Sequence, residues 1–382
     1  MMKTVLSNII DNGFKLHTAL IKCRNGVVED ILIIDNREQE LLDNVSYDLR
    51  EFILLPQFFN IHCHLGESLY ALSPEEMSDL TIERYIKLTE DINKQLHPDE
   101  RDLLWEKSAH LTAELQRDNS ISGICAARCA EICKEHGLLS MSGYPLMNSV
   151  KLREYAIAGI QSFTVYLKEN SSPNCSVGVF FHSLYTNGDL ELSFARDAME
   201  IGAEFLSVHV SEDHPTRQRE LNRYGKSPID VLSDYNLLTS RTLIVHGGFL
   251  DESDLLKIAE ADAVMVVCPI SNLTLNTRMP DLYKIRKLGI RWCLATDGLI
   301  TGKSFSILAQ AKELKRHFPE LTFKEIYTAV TATPAKVFNR NIYTGVIQKD
   351  TEAKFILLTK EKYSSGLLNE LFNSKEVKQI IV

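Results

Sequence analysis

The sequence lacks several features that mark special classes of protein. No apolar run approaches the roughly 20 residues that span a bilayer, and the apolar stretch at the N-terminus is too short for a secretory signal, with Asp11 close behind it. The eight cysteines are scattered through 382 residues without a dense disulfide framework. We therefore expect a cytoplasmic globular protein with no membrane partner.

Positive charge is also in the minority. The chain has 42 Lys and Arg against 51 Asp and Glu, a net charge of −9. Because a nucleic-acid-binding surface needs a basic stripe, a nucleic-acid partner is not expected. With 45% apolar and 24% charged residues, the composition is that of an ordinary folded domain large enough to bury a sizeable core.

The two ends of the chain have β character. Residues 1–55 contain short extended runs (TVLSNII, ALIKCR, VEDILIID and FILL), and the Asn12-Gly13 and Asn25-Gly26 dipeptides predict hairpin turns. Extended runs return near the C-terminus in TGVIQ, AKFILLTK and VKQIIV. We expect a small flanking β-domain built from residues 1–55 and 341–382.

Between these ends, residues 56–340 alternate apolar runs with amphipathic helical stretches, after a long helical region from about Pro74 to Arg117. The apolar runs are FFNIHCHL, ISGICAA, LLSMSGYPL, IQSFTVYL, SVGVFFHSL, FLSVHVSE, TLIVHGGF, AVMVVCPI and IRWCLATDG. This alternation predicts an α/β fold, a (β/α)8 TIM-like barrel. Nine runs compete for eight strands, so one segment between residues 138 and 182 is irregular or an extra edge piece.

Several of these runs end in histidine or aspartate, residues that can bind a metal ion. His62 and His64 end the first run and, at positions i and i+2, project to the same face of a strand. Later runs end in His209, His246 and Asp297. Barrel enzymes keep their active sites at the carboxyl ends of the strands, and imidazole with carboxylate suits a borderline divalent metal. The pattern predicts a metal site.

At this point the sequence resembles the amidohydrolase superfamily, in particular the chlorohydrolase/deaminase branch with the guanine, S-adenosylhomocysteine and cytosine deaminases. The resemblance runs from about Leu54 to Leu358. It rests on LLPQFFNIHCH, SLYTNGDL, LSVHVSED, TLIVHGGFL, VVCPISNLTLN, ATDGLITGKS and TATPAKVF, which occur in the expected order.

The resemblance implies a role for each site residue. One divalent metal ion, zinc by default and iron in some relatives, would be bound by His62, His64, His209 and Asp297. The catalytic residues would be Glu212, which shuttles protons to the leaving nitrogen, His246, which polarises water or substrate, and Asp297 as general base. His182 would contact the substrate, and Glu67, which follows the first strand, is a second candidate for the pocket wall.

Other members of the superfamily hold two metals bridged by a lysine on strand four. The run IQSFTVYL places Thr164 near that position, and Lys168 at its far end is interpreted as a surface residue. A site with one metal is therefore favoured, and with it deamination.

The predicted function is replacement of the exocyclic amino group of a small heterocyclic substrate (a purine, pterin, pyrimidine or nucleoside-like compound) by oxygen, with release of ammonia. The alternatives are hydrolysis of an amide, imide, formimino or C–Cl bond, or a catalytically silent binding or scaffold protein. A homo-oligomer would be compatible with the resemblance.

Overall fold

A computed structural model describes residues 2–11, 15–34, 45–70, 72–147, 159–359 and 378–381 of the chain. Within these ranges, no helix combines the length and the apolar character needed to cross a membrane. All eight cysteines are buried free thiols.

The described ranges contain fourteen strands and fifteen helices. The strands are β1 (Met2–Ile10), β2 (Leu16–Arg24), β3 (Val27–Ile33), β4 (Tyr47–Pro56), β5 (Phe58–Asn60), β6 (Ile121–Ala127), β7 (Leu139–Leu146), β8 (Cys175–Ser183), β9 (Leu206–Val210), β10 (Thr242–His246), β11 (Val264–Val267), β12 (Arg291–Leu294), β13 (Lys354–Thr359) and β14 (Lys378–Ile381). The helices are α1 (Pro74–Met77), α2 (Ile82–Gln95), α3 (Pro98–Asp118), α4 (Ala130–Glu135), α5 (Gly159–Asn170), α6 (Asp189–Glu200), α7 (His214–Tyr224), α8 (Pro228–Asp234), α9 (Glu252–Glu260), α10 (Pro269–Thr274), α11 (Leu282–Lys287), α12 (Leu299–Gly302), α13 (Ile307–His317), α14 (Phe323–Val330) and α15 (Ala332–Phe338).

Eight parallel strands form the central sheet, in the chain order β5 to β12. Its two outer strands approach each other through Asn60, whose Nδ2 donates to Thr296 Oγ1 at 2.6 Å and whose Oδ1 accepts from the Thr296 backbone N–H at 3.1 Å. The Asp297 N–H also donates to the His62 carbonyl at 3.2 Å. The sheet therefore closes nearly into a barrel, and the prediction of a TIM-like barrel is confirmed.

Alternation along the strands produces two apolar layers. Phe59, Met141 and Val245 belong to a buried cluster that is joined by Phe338, at the end of α15, and by Tyr343, which follows that helix. Side chains on the other face of the sheet pack against the surrounding helices in a second, larger cluster. Because both faces of the sheet are covered, its strands read as near-continuous apolar runs in the sequence.

A six-stranded sheet unites the two ends of the chain, in the order β14-β13-β4-β1-β2-β3. Strand β13 pairs antiparallel with β4, and β1 pairs parallel with β4. Asn25 and Gly26 turn between β2 and β3 with φ of 52° and 77°, as a two-residue hairpin requires. The predicted flanking sheet from both termini is confirmed, whereas the exact domain limits stay a prediction. The Asn12-Gly13 dipeptide lies outside the described residues.

Two segments differ from the predicted strands. IQSFTVYL lies in helix α5, because Ile160, Phe163 and Leu167 follow a helical spacing and put Val165 in solvent, 53% exposed. Strands three and four of the barrel are therefore β7 and β8. The prediction that Thr164 marks strand four is wrong, because Thr164 is exposed on α5.

The second differing segment, TGVIQ, is not a strand. Gly345 turns the chain there with φ of 73°. A Cβ at this position would lie 2.4 Å from the carbonyl carbon of Thr331, so only glycine fits at this turn, whose positive φ departs from the extended conformation of a strand.

Helices α1 and α2 are inserted between the first barrel strand and α3. Ser73 caps α1 in a capping box with Glu76, and Thr81 caps α2. Leu80 and Ile82 pack on Leu275, which follows β11. The insertion is thus fixed against a loop at the carboxyl end of the barrel.

Candidate active site

Four of the predicted site residues come together at the carboxyl ends of three strands. His62 and His64 follow β5, His209 lies in β9, and Asp297 follows β12. One ligand atom from each of the four lies within 4.8 Å of all the others. His62 is fully buried and Asp297 is 5% exposed, so the cluster is largely withdrawn from solvent.

The spacing of these atoms fits a metal ion. His62 Nε2 lies 3.2 Å from His209 Nε2 and 3.4 Å from Asp297 Oδ1. His64 Nε2 lies 3.1 Å from the same Asp297 oxygen. The ligands of a tetrahedral ion with bonds of 2.0–2.1 Å are about 3.3 Å apart. The residues therefore fit a divalent cation held by three imidazoles and one carboxylate.

Neighbouring groups fix the orientation of these ligands. His209 Nδ1 donates to the His182 carbonyl at 2.7 Å, which leaves Nε2 free to bind. Asp297 Oδ2 accepts from Ser271 Oγ at 2.5 Å and from Thr301 Oγ1 at 2.9 Å, while Oδ1 faces the histidines. Ser271 and Thr301 are not among the predicted site residues, although they lie in the segments VVCPISNLTLN and ATDGLITGKS that carry the resemblance.

Burial and charge act on the titration of this cluster in opposite directions. Burial would raise the pKa of Asp297, but hydrogen bonds from His62 and His64 and the positive charge of His64 hold it well below its usual range. Burial lowers the pKa of His62 to about 4. Burial also opposes protonation of His64, but Glu67 and Asp297 raise its pKa to about 9.

These pKa values predict how metal binding depends on pH. A ligating imidazole must be neutral, and His64 is the one of these two histidines that holds a proton at pH 7. We expect one Zn²⁺ to displace about one proton between pH 5 and pH 8, and the apparent affinity to rise about tenfold per pH unit in this range. Calorimetric titration in buffers of different ionisation enthalpy measures the proton count. Glu67→Gln should lower this count at pH 7, and a count of zero for the unmodified protein would contradict the assignment.

Glu212 and His246 form a second pair beside the cluster. Glu212 Oε1 lies 3.4 Å from His246 Nε2, and the His246 ring stacks 5.4 Å from that of His209. Asn272 Nδ2 donates to the Arg278 carbonyl at 2.5 Å, so Asn272 Oδ1 accepts from His246 Nδ1 at 3.1 Å. His246 Nε2 therefore lies on the side of the ring that faces Glu212. Burial raises the pKa of Glu212, although His246 opposes the shift.

The local backbone structure fixes the direction of the Glu212, His246 and Asp297 side chains. Asp213 caps α7 directly after Glu212, and its carboxylate accepts from the Thr216 N–H at 2.7 Å. His246 ends β10 and Asp297 follows β12, with φ of 67° and 61°, a left-handed conformation that costs free energy and is typical of functional sites.

His182 and Phe180 come from β8. His182 Nδ1 lies 2.9 Å from Thr186 Oγ1, and its ring is 5.1 Å from that of His209. Phe180 stacks on His62 with ring centroids 5.4 Å apart. An apolar ring therefore stands on strand four beside the cluster, and β8 (CSVGVFFHS) contains no lysine that could bridge a second metal.

Glu67 reaches the cluster from the loop after β5. Its Oε1 lies 3.8 Å from His64 Nδ1, and its Oε2 accepts a short hydrogen bond from the hydroxyl of Tyr85 on α2. Tyr85 was missed in the sequence, because no motif marks a residue brought in by an inserted helix. Burial and the charge of Glu67 raise the pKa of Tyr85 well above its usual range, so its hydroxyl stays a donor.

Glu220, on α7, is a fully buried carboxyl close to these groups. Burial raises the pKa of Glu220 to about 8, although a hydrogen bond from the Ser211 backbone and the charge of Arg217 act in the opposite direction. In the unfolded chain this carboxyl loses its proton near pH 4.5, whereas in the folded protein it keeps the proton up to about pH 8. The contribution of Glu220 to stability therefore falls as pH rises from about 4.5 to about 8. We expect Glu220→Gln to gain about 3 kcal/mol more in the free energy of unfolding at pH 8 than at pH 5. Urea unfolding at both pH values measures this difference. The exposed Glu200→Gln is the control, and an equal gain at both pH values would contradict the expectation.

The barrel carries at its carboxyl end four side chains that are spaced to hold a metal ion. A family model described as "Amidohydrolase family" matches residues 53–382, and the chain belongs to this family. The 5-methylthioadenosine/S-adenosylhomocysteine deaminase of Pyrococcus furiosus is 25% identical over 357 residues, which cover 87% of this chain and 82% of the relative.

Two solved structures share the fold at low sequence identity. An adenosine deaminase from Xanthomonas campestris with bound zinc aligns with a TM-score of 0.81 at 15% identity, over 98% of this chain and 88% of that one. A guanine deaminase from C. acetobutylicum with bound guanine aligns with a TM-score of 0.80 at 14% identity, over 100% of this chain and 99% of that one.

Proposed function

We propose that the protein is an aminohydrolase that replaces the exocyclic amino group of a purine-type heterocycle, carried in a nucleoside-like molecule, by oxygen and releases ammonia. The observation that carries this proposal is the Glu212–His246 pair, 3.4 Å apart, beside the four-residue ligand cluster. The names of the deaminase relative and the two deaminase structures support the choice of substrate class.

Zinc is the proposed metal ion, and iron is the second candidate for the same ligands. Three imidazole nitrogens and one carboxylate oxygen at the observed spacings suit a borderline divalent ion. Such an ion, when bound, supplies the positive charge that makes water a nucleophile near neutral pH.

Asp297 and Glu212 have carboxyl groups suited to different roles. Asp297 stays ionised, because its pKa is held low, and is the proposed base for the attacking water. Glu212, with its raised pKa, is the proposed shuttle that carries a proton to the leaving nitrogen. Attack on the ring carbon gives a tetrahedral centre that expels ammonia only once this nitrogen is protonated, so a group that can donate is required.

Three further residues have proposed roles in binding and polarisation. His246, oriented by Asn272, polarises the water or the substrate on the Glu212 side. His182, with Nδ1 held by hydroxyl groups, offers Nε2 to the substrate. Glu67 is the proposed acceptor for a substrate N–H on the opposite wall. A cytoplasmic location and a homo-oligomer remain predictions.

The test is ammonia release from the zinc-loaded protein, with the metal-depleted protein as control. The panel comprises adenosine, 5′-deoxyadenosine, 5′-methylthioadenosine, S-adenosylhomocysteine, guanine and cytosine. We expect release from at least one adenine nucleoside, lost on metal removal and restored by reloading. Silence on every compound at full metal occupancy would overturn the proposal in favour of amide, imide, formimino or C–Cl hydrolysis.

A further inference from the structure

We infer that Tyr85 is a positioning residue of the metal centre, which acts by holding the Glu67 carboxylate against His64. The contacts form a continuous chain. The Tyr85 hydroxyl donates to Glu67 Oε2, Glu67 Oε1 lies 3.8 Å from His64 Nδ1, and His64 Nε2 lies 3.1 Å from Asp297 Oδ1.

His64 needs such a partner to present the correct nitrogen. An imidazole that binds a metal through Nε2 must carry its proton on Nδ1, and an acceptor near Nδ1 fixes this tautomer. For His209 this acceptor is the His182 carbonyl, a rigid backbone group at 2.7 Å. For His64 the acceptor is the carboxylate of Glu67, whose side chain can rotate unless another group restrains it.

The tautomer of His64 therefore depends on where the Glu67 carboxylate lies. At 3.8 Å, the gap between Oε1 and Nδ1 exceeds a direct hydrogen bond, so it must be closed by a small movement or a bridging water. Tyr85 restrains Oε2 on one side. A Cβ at Gly298 would lie 3.0 Å from Oε2, so the glycine leaves room for the carboxylate at this place. The hydrogen bond from Tyr85 limits where the carboxylate can move.

Helix α2 is itself anchored to the barrel, so its tyrosine is delivered to a defined place. Ile82 at the start of α2 packs with Leu80 on Leu275, and Asn276 Nδ2 donates to the Leu80 carbonyl at 3.4 Å. Glu83 also pairs with Arg219 of α7 at 3.3 Å. Helix α2 therefore holds Tyr85 at a defined place beside the metal centre.

This inference rests on the metal centre of the proposed function but not on its substrate. The test is therefore retention of Zn²⁺ by the full-length, zinc-loaded protein against a chromogenic chelator, with no substrate present. The variants are Tyr85→Phe, Glu67→Gln and the double variant. The matched control is Tyr70→Phe, because the Tyr70 hydroxyl donates to Asn93 Oδ1 at 3.0 Å on the same insertion and does not hold Glu67.

We expect Tyr85→Phe and Glu67→Gln each to weaken zinc retention by about 10- to 100-fold. The double variant should be no weaker than Glu67→Gln alone, because Tyr85 acts through Glu67. Tyr70→Phe should stay within about twofold of the unmodified protein, and the metal-free forms should unfold at the same temperature.

Three results would overturn the inference. Retention by Tyr85→Phe within twofold of the unmodified protein would remove its role, and additive losses in the double variant would show that Tyr85 does not act through Glu67. An equal loss in Tyr70→Phe would assign the effect to the packing of the insertion. Loss of zinc retention as expected, without activity on any nucleoside, would leave this inference standing and overturn the proposed substrate.

Discussion

Asp297→Asn should abolish turnover, with a loss on the order of 10⁴-fold in kcat, the scale of removing one member of a catalytic unit. Asp297 Oδ1 lies within 3.4 Å of both His62 Nε2 and His64 Nε2. An amide there offers a neutral oxygen or an N–H group, and neither replaces the charge of the carboxylate. The proposed base for the attacking water would be lost in the same step.

The measurement is kcat and zinc content of the same preparation, together with thermal unfolding. Ser271→Ala is the matched control, because it removes one hydroxyl from Asp297 Oδ2 and leaves the charge in place. We expect this control to lose only about tenfold, as for other groups that orient a metal ligand. Activity of Asp297→Asn within tenfold of the unmodified protein, with the fold intact, would contradict both proposed roles.

The strand-end pattern predicted a metal site because its residues occupy equivalent places in a repeated unit, and the resemblance to the amidohydrolase superfamily then implied which four are ligands. Each ends an apolar run, and in a parallel barrel all such ends meet on one face. No distance information was needed to expect His62, His209 and Asp297 together, and the structure brings these three side chains together. The flanking sheet was predicted in the same way, from extended runs confined to the two ends of the chain.

The residues that the sequence analysis missed act through tertiary contacts. Tyr85 reaches Glu67 from an inserted helix, and Asn272 accepts from His246 Nδ1. The error at IQSFTVYL has a different cause. Its β-branched and aromatic residues suggested a strand, but the helical spacing of Ile160, Phe163 and Leu167 decided the structure.

Glu212→Gln should lower kcat by about 10²-fold or more while zinc content stays unchanged. Glu212 lies outside the four-residue ligand cluster and faces His246 Nε2 at 3.4 Å, so its loss should affect proton transfer and leave metal binding intact. Because burial raises the pKa of Glu212, its ionisation should contribute a limb to the pH profile of kcat/KM above the ordinary range of a carboxyl. In the Gln variant this limb should disappear.

Glu220→Gln is the matched control for this substitution, because Glu220 is a buried carboxyl eight residues further on that has no proposed part in the reaction. Its kcat should stay within about threefold of the unmodified protein.

A 6-chloro analogue of the accepted nucleoside then separates the two proton transfers, because chloride leaves without being protonated. If Glu212 serves the leaving nitrogen, Glu212→Gln should lose far less on the chloro compound than on the amino compound. Equal losses on both would assign Glu212 to activation of the water or the ring, and a loss below tenfold on the amino compound would remove it from the proposed mechanism.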